Sequence, residues 1–136
     1  MQKTHITDWV TIIAIVTTLL LIVGCSSGNT VELDADDNGK AVELEVGQML
    51  AITLDSNPTT GYSWEAAGQH DELVLSGEPE YKQRNRDKNL VGGGGQETLR
   101  FEAQKAGQVH LELIYHRAWE KGAKPAETFA VDVTIH

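Results

Sequence analysis

The chain has 136 residues, a formal net charge of −9, 40% hydrophobic and 23% charged residues, and a single cysteine. That length allows one globular domain. The acidic balance argues against nucleic acid as a partner, and the lone cysteine excludes an internal disulfide, so the core must hold itself.

Residues 1–9 are a mixed head, with Lys3 against Asp8. Val10 to Val23 is an apolar run of 14 residues, interrupted only by Thr11, Thr17 and Thr18. It is short for a membrane span and suits the core of a signal peptide. The run ends in Ile22-Val23-Gly24-Cys25-Ser26-Ser27-Gly28. This resembles the bacterial lipobox, in which two aliphatic residues and a small one precede a cysteine. The resemblance implies cleavage after Gly24, acylation of Cys25 and a lipoprotein of the bacterial cell envelope, facing the periplasm or the exterior. A plain signal peptide, or an uncleaved anchor with Cys25 idle, is the alternative. The sole cysteine falling at this position favours the lipoprotein, and several acyl chains would make its attachment stable. The expected organisation is a signal peptide over 1–24, a lipidated cysteine with a short tether over 25–29, and a domain over 30–136. Ser26 to Asn29 would reach about 14 Å at most, so the domain should ride close to its membrane.

Thr30 to Leu33 alternates and predicts a first strand. Asp34-Ala35-Asp36-Asp37-Asn38-Gly39, with Glu45 further on, matches the calcium loop of an EF-hand at every specified position. An EF-hand needs a helix on each side. Too few residues separate Cys25 from Asp34 for one, and Val42, Leu44 and Val46 alternate as a strand. Asn38-Gly39 is a strong hairpin signal, so a β-hairpin is expected here. A calcium-dependent adhesion module built on Asp34 to Glu45 is the minor alternative.

Ala41 to Val46 and Met49 to Leu54 predict strands around Gly47. Asn57-Pro58-Thr59-Thr60-Gly61-Tyr62 then forces a turn before a strand over Tyr62 to Glu65. Pro58 fixes its own φ and pushes Asn57 toward an extended conformation. Thr59 and Thr60 are stiff at χ1, and Gly61 can take positive φ. The expected product is a short, rigid loop with an uncharged tip. By itself the hexapeptide favours an ordinary turn. Residues 66–80 look irregular, with Leu73, Val74 and Leu75 as a short apolar piece. Residues 81–89 set Lys82, Arg84, Arg86 and Lys88 against Asp87. That run is expected as a solvated loop, with steering of an acidic partner as its functional alternative.

Gly92-Gly93-Gly94-Gly95 is costly to order. A flexible linker has no purpose inside one domain, so these glycines predict close approach of another backbone or of a groove wall. Leu99, Phe101 and Ala103 alternate with Arg100 and Glu102. Val109, Leu111, Leu113 and Tyr115 do the same, as do Phe129, Val131, Val133 and Ile135. About seven to eight short strands, and no helix after the signal, predict an all-β sandwich. Trp64 should enter the core. Trp119, in a loop with Arg117, Glu120 and Lys121, should be exposed for binding, since Trp and Arg dominate hot spots. His110 and His116 should both face outward. They and His70 form no metal-ligand pattern, and no serine sits in a nucleophile elbow. The chain reads as a binding module and not an enzyme.

Three stretches together are similar to the loops of the chagasin family, inhibitors of papain-like cysteine peptidases. They are Asn57 to Tyr62, Leu90 to Gly95 and Arg117-Ala118-Trp119-Glu120-Lys121-Gly122. The third departs from the family, because Ala118 stands where a proline is usual. The resemblance covers about residues 30 to 136. It implies an immunoglobulin-like sandwich and reversible, tight inhibition by occupation of the cleft. Thr59 and Thr60 would sit over the catalytic cysteine–histidine pair. Gly92, Gly93, Gly94 and Gly95 would line the non-primed cleft, and Arg117 and Trp119 would grip the far wall. Asn57, Pro58, Gly61 and Tyr62 complete the expected contacts. No catalytic residue, metal or cofactor is implied. The expected partners are a papain-like peptidase and, through Cys25, a membrane; the domain should act as a monomer. An envelope binding or assembly lipoprotein, using the same loops for a non-protease partner, is the second reading.

Overall fold

The structure, a computed structural model, describes residues 29–84 and 93–136. The signal peptide, Cys25, most of the tether, Gly92 and the second half of the basic run lie outside the described residues.

Nine strands follow in order: β1 (Thr30–Leu33), β2 (Ala41–Leu44), β3 (Met49–Ser56), β4 (Ser63–Ala66), β5 (Leu73–Leu75), β6 (Glu80–Gln83), β7 (Gly95–Ala103), β8 (Gly107–His116) and β9 (Glu127–Ile135). They form two sheets. One has the order β1-β3-β7, with β5 and β6 both on the free edge of β7; the other has the order β2-β9-β8-β4.

The strands form where side chains alternate, because successive residues face opposite sides of a pleated sheet. Leu50, Ile52 and Leu54 from β3 and Leu99, Phe101 and Ala103 from β7 meet Val109, Leu111 and Leu113 from β8 and Phe129, Val131, Val133 and Ile135 from β9, all buried. Each large side chain so buried contributes about 1.5–3 kcal/mol of hydrophobic stabilisation. Trp64, on β4, joins this core as expected at 5% exposure.

Two expectations need correction. Residues 81–83 belong to β6 and are not loop: Glu80 pairs with Thr98 and Gln83 with Gly95. β7 is nine residues long, and its edge serves β6 near its start and β5 near its end. This is why the strands number nine among the described residues, above the expected seven to eight.

The Asn38-Gly39 turn also closes no hairpin. β1 pairs with β3 and β2 with β9, both parallel and in different sheets. Gly39, at φ +82, donates to Ala130 O (2.7 Å), and Asn38 Oδ1 accepts from Ala130 N–H (2.9 Å). The turn therefore docks on β9 and carries the chain across the sandwich. The neighbouring acids serve local backbone: Asp34 Oδ1 accepts from Asp36 N–H and Asp37 Oδ2 from Asp34 N–H. That bond from Asp34, and then Lys40 beside it, hold the Asp37 carboxyl below its ordinary range.

The register also fixes polarity. Thr30 lies opposite Met49, the first residue of β3, while Ser56, its last, lies opposite Gly95. The chain thus enters the sandwich at one end and turns through Asn57–Tyr62 at the other.

Candidate functional site

Strand register brings the roots of three loops to one end of the sandwich. Ser56 pairs with Gly95, Ser63 with His116 and Tyr115 with Glu127. The loop over 57–62, the glycine run and the loop over 117–126 all leave from there.

Residues 58–60 form a single 3-10 turn, closed by Thr60 N–H to Asn57 O (3.1 Å) and Gly61 N–H to Pro58 O (3.0 Å). Asn57 precedes it at φ −136, ψ 88, the extended state that a following proline imposes. Gly61 ends it at φ +81. Both threonine hydroxyls are spent inside the turn: Thr59 Oγ1 donates to Asn57 Oδ1 and Thr60 Oγ1 to Asn57 O, each at 2.6 Å. Hydroxyls that stiffen the turn leave their methyl groups at an exposed, uncharged tip.

The third loop braces this tip. The Arg117 guanidinium lies 4.5 Å from the Tyr62 ring centroid, and its Nε–H donates to Thr60 O (3.0 Å). Glu120 receives another of its N–H groups at 3.0 Å. Tyr62 in turn stacks on Tyr115, whose hydroxyl accepts from Asn57 N–H at 2.8 Å. Trp119 is 66% exposed, yet its indole edge covers Gly61.

Of the glycine run, Gly93, Gly94 and Gly95 are described. Gly95 sits where a Cβ would come within 2.3 Å of Lys82 O, so only glycine lets β6 approach β7 there. Gly93 O accepts from the Tyr81 hydroxyl, and Gly94 O from Arg84 N–H. Ser56, Asn57, Gly94 and Tyr115 are among the residues around a recess of about 210 Å³ between the first two loops.

Two polar side chains lie inside the sandwich under these loops. Glu97 is 6% exposed and Ser56 5%, and Ser56 Oγ donates to Glu97 Oε2 at 2.8 Å. Sequence reasoning missed Glu97, although it shares parity with Leu99 and Phe101. Extending β7 back by one residue pair would have placed it inside.

His110 and His116 face outward as expected and meet carboxylates across the strands, Asp132 and Glu65, each at 2.7 Å. Among the described residues no three or more His, Cys, Asp or Glu side chains cluster as metal ligands, the Asp34–Glu45 stretch included. The site is an edge whose first loop carries an exposed, uncharged tip, and whose third loop sets exposed Trp119 beside Arg117, Glu120 and Lys121.

Residues 43–133 match the family model for chagasin family peptidase inhibitor I42. Chagasin of Trypanosoma cruzi is 33% identical over 98 residues, covering 69% of this chain and 87% of that protein. Amoebiasin-1 of Entamoeba histolytica is 29% identical over 103 residues, covering 76% and 97% respectively. Among solved structures, a cysteine protease inhibitor from Entamoeba histolytica superposes with a TM-score of 0.68 at 25% identity, over 79% of this chain and 96% of that one. Leishmania mexicana ICP does so with a TM-score of 0.55 at 34% identity, over 74% and 90%.

Proposed function

Since this chain belongs to the chagasin family of peptidase inhibitors, we propose that it inhibits papain-like cysteine peptidases by laying three loops across their active-site cleft. The observation that carries this reading is that the roots of the three loops lie at one end of the sandwich, with a braced, uncharged tip among them. A peptidase cleft is a concave slot built to take extended peptide. An exposed, rigid loop tip can enter it by shape, and no bond need form or break.

The rigidity of the tip sets the energetics. The 3-10 turn, its threonine hydrogen bonds and the Arg117 contacts exist before any partner arrives. Little conformational entropy is then left to lose on binding. Thr59 and Thr60 bring no charge to be desolvated over the catalytic pair. The glycines beside them offer bare backbone to one wall of the cleft, with room for strand-like pairing. Trp119 offers a large exposed ring to the other wall, and binding hot spots are enriched in tryptophan.

We further propose that Cys25 carries a lipid anchor in a bacterial envelope. Thr30 enters the sandwich at the end away from the loops. An anchor there would turn the inhibitory edge outward, above the membrane by about 26 Å, the rise of an eight-residue strand such as β3.

Titrating active papain with residues 26–136 tests the inhibitory reading. Stoichiometric, reversible loss of activity is expected. Full papain activity in the presence of excess protein would overturn it and leave the envelope binding reading in its place.

A further inference from the structure

We infer that Glu97 is the positioning residue of the 57–62 loop, one buried carboxylate holding both shoulders of that loop at a set separation. The inference rests on the reading of Asn57–Tyr62 as the inhibitory tip, and it concerns a residue that lies beneath the tip.

The loop has an unusual mechanical problem. Its first shoulder, Ser56, ends β3 in one sheet, and its second, Trp64, lies on β4 in the other. β3 and β4 do not pair, so no ladder of backbone hydrogen bonds ties the two ends together. The gap between the sheets is spanned by side chains. Glu97 reaches into it from β7, and its Oε2 accepts from Ser56 Oγ at 2.8 Å and from Trp64 N–H at 3.4 Å. Two other bonds span nearby: Trp64 Nε1–H to Asp55 O, and Asn57 N–H to the Tyr115 hydroxyl. Glu97 alone among these brings both shoulders to one atom.

Apolar burial by itself gives no reason for a carboxylate here. Glu97 shares its face of β7 with Leu99, Phe101 and Ala103, all buried. An apolar residue would continue that face without the cost of taking a carboxylate out of water. β4 is an edge strand, however, and the Trp64 N–H needs an acceptor that no neighbouring strand supplies. The carboxylate provides it and couples it to the end of β3. Removing it would let the shoulders drift and carry Thr59 and Thr60 away from the third loop that braces them.

The test compares the full chain in detergent with Glu97→Ala, Glu97→Gln and Val133→Ala. Val133 is a buried β9 residue paired with Val109, away from the loops, and serves as a control for lost stability. Two quantities are read well below the melting temperatures: the papain inhibition constant, and amide hydrogen exchange over Asn57–Trp64 in the free chain. Glu97→Ala is expected to weaken inhibition by about tenfold and to speed exchange at Trp64 by a similar factor, as an orphaned buried donor implies. Glu97→Gln keeps an oxygen in place and should stay within about threefold of wild type on both counts. Val133→Ala should move neither, although it melts lower. If Glu97→Ala does not fold, Ser56→Ala cuts the same tie on one side and should shift both readings in the same direction. The inference is overturned if Glu97→Ala behaves like Val133→Ala, or if glutamine fails to restore what alanine loses. Should the wild-type chain leave papain active, the inhibitory reading falls by itself. Exchange over Asn57–Trp64 then still decides the role of Glu97, since an unchanged rate in Glu97→Ala removes it.

Discussion

The indole of Trp119 covers Gly61 so closely that a Cβ on the glycine would lie 2.1 Å from Cη2. Two loops far apart in sequence are thus interlocked at a position that also needs positive φ, +81. Gly61→Ala should meet both obstacles: about 1–2 kcal/mol for a left-handed L-residue, and displacement of the indole. Inhibition should fall by about tenfold or more, with a changed Trp119 fluorescence. Wild-type inhibition together with unchanged emission would show that the contact does not shape the binding edge.

Thr60 tests the centre of that edge. Its side chain is exposed, and its hydroxyl bonds within the turn, to Asn57 O. Thr60→Arg should therefore leave the melting temperature nearly unchanged. In a complex it would place a charge where solvent is excluded, at a cost of several kcal/mol. Papain inhibition that survives this change would move the first loop away from the catalytic pair.

Arg117 has its bonds inside the molecule, to Thr60 O, to Glu120 and to the face of Tyr62. These contacts make it a brace, whatever it also touches in a partner. A double-mutant cycle of Arg117→Ala and Tyr62→Leu on the inhibition constant should give a coupling of about 0.5–1 kcal/mol, the size of an exposed cation–π pair. Additive effects would mean that the two residues act independently and that the stacking is incidental to binding.

Much of the sandwich was legible because its central strands alternate strictly. Leu99 to Ala103, Val109 to Tyr115 and Phe129 to Ile135 each announce a buried face. The rigid 57–62 turn was legible too, since Pro58 and Gly61 constrain φ locally. What escaped notice depends on partners distant in sequence. Asn38-Gly39 carries a strong local hairpin signal, but its bonds to Ala130 send β1 and β2 into different sheets. Glu80-Tyr81-Lys82-Gln83 is too polar to look like a strand, and becomes one because Gly95 lets it close on β7. Glu97 was hidden by its charge, which on composition alone belongs at the surface.

The proposed anchor can be tested apart from the loop edge. Cys25→Ser should leave the precursor unacylated, and should either release the chain from the membrane fraction or block its processing. Papain inhibition by the soluble domain should not change, because Thr30 enters the sandwich at the end away from the loops. If the variant fractionates with membranes as the wild type does, Cys25 is not the anchor.

Ala118 is where this chain departs from the usual Arg-Pro-Trp of its family, and the local geometry favours restoring the proline. Arg117 O accepts from Glu120 N–H at 3.0 Å, which places Ala118 at the second position of a β-turn. That position favours proline, since φ near −65° is already required there. Among the described residues the Ala118 N–H has no acceptor, so the substitution removes no bond. Proline also restricts the preceding residue to extended backbone, and Arg117 directly follows the end of β8. Ala118→Pro should gain about 0.4–1 kcal/mol by reducing the freedom of the unbound loop. The inhibition constant should then drop by about two- to fivefold. Trp119→Ala is the companion measurement. With Trp119 66% exposed, loss of its ring should barely move the melting temperature and should weaken inhibition by at least about 2 kcal/mol. A sharp drop in melting temperature with normal inhibition by the folded fraction would make Trp119 a structural residue. The third loop would then brace the tip without touching the peptidase, and a tighter Ala118→Pro would owe its gain to a firmer tip.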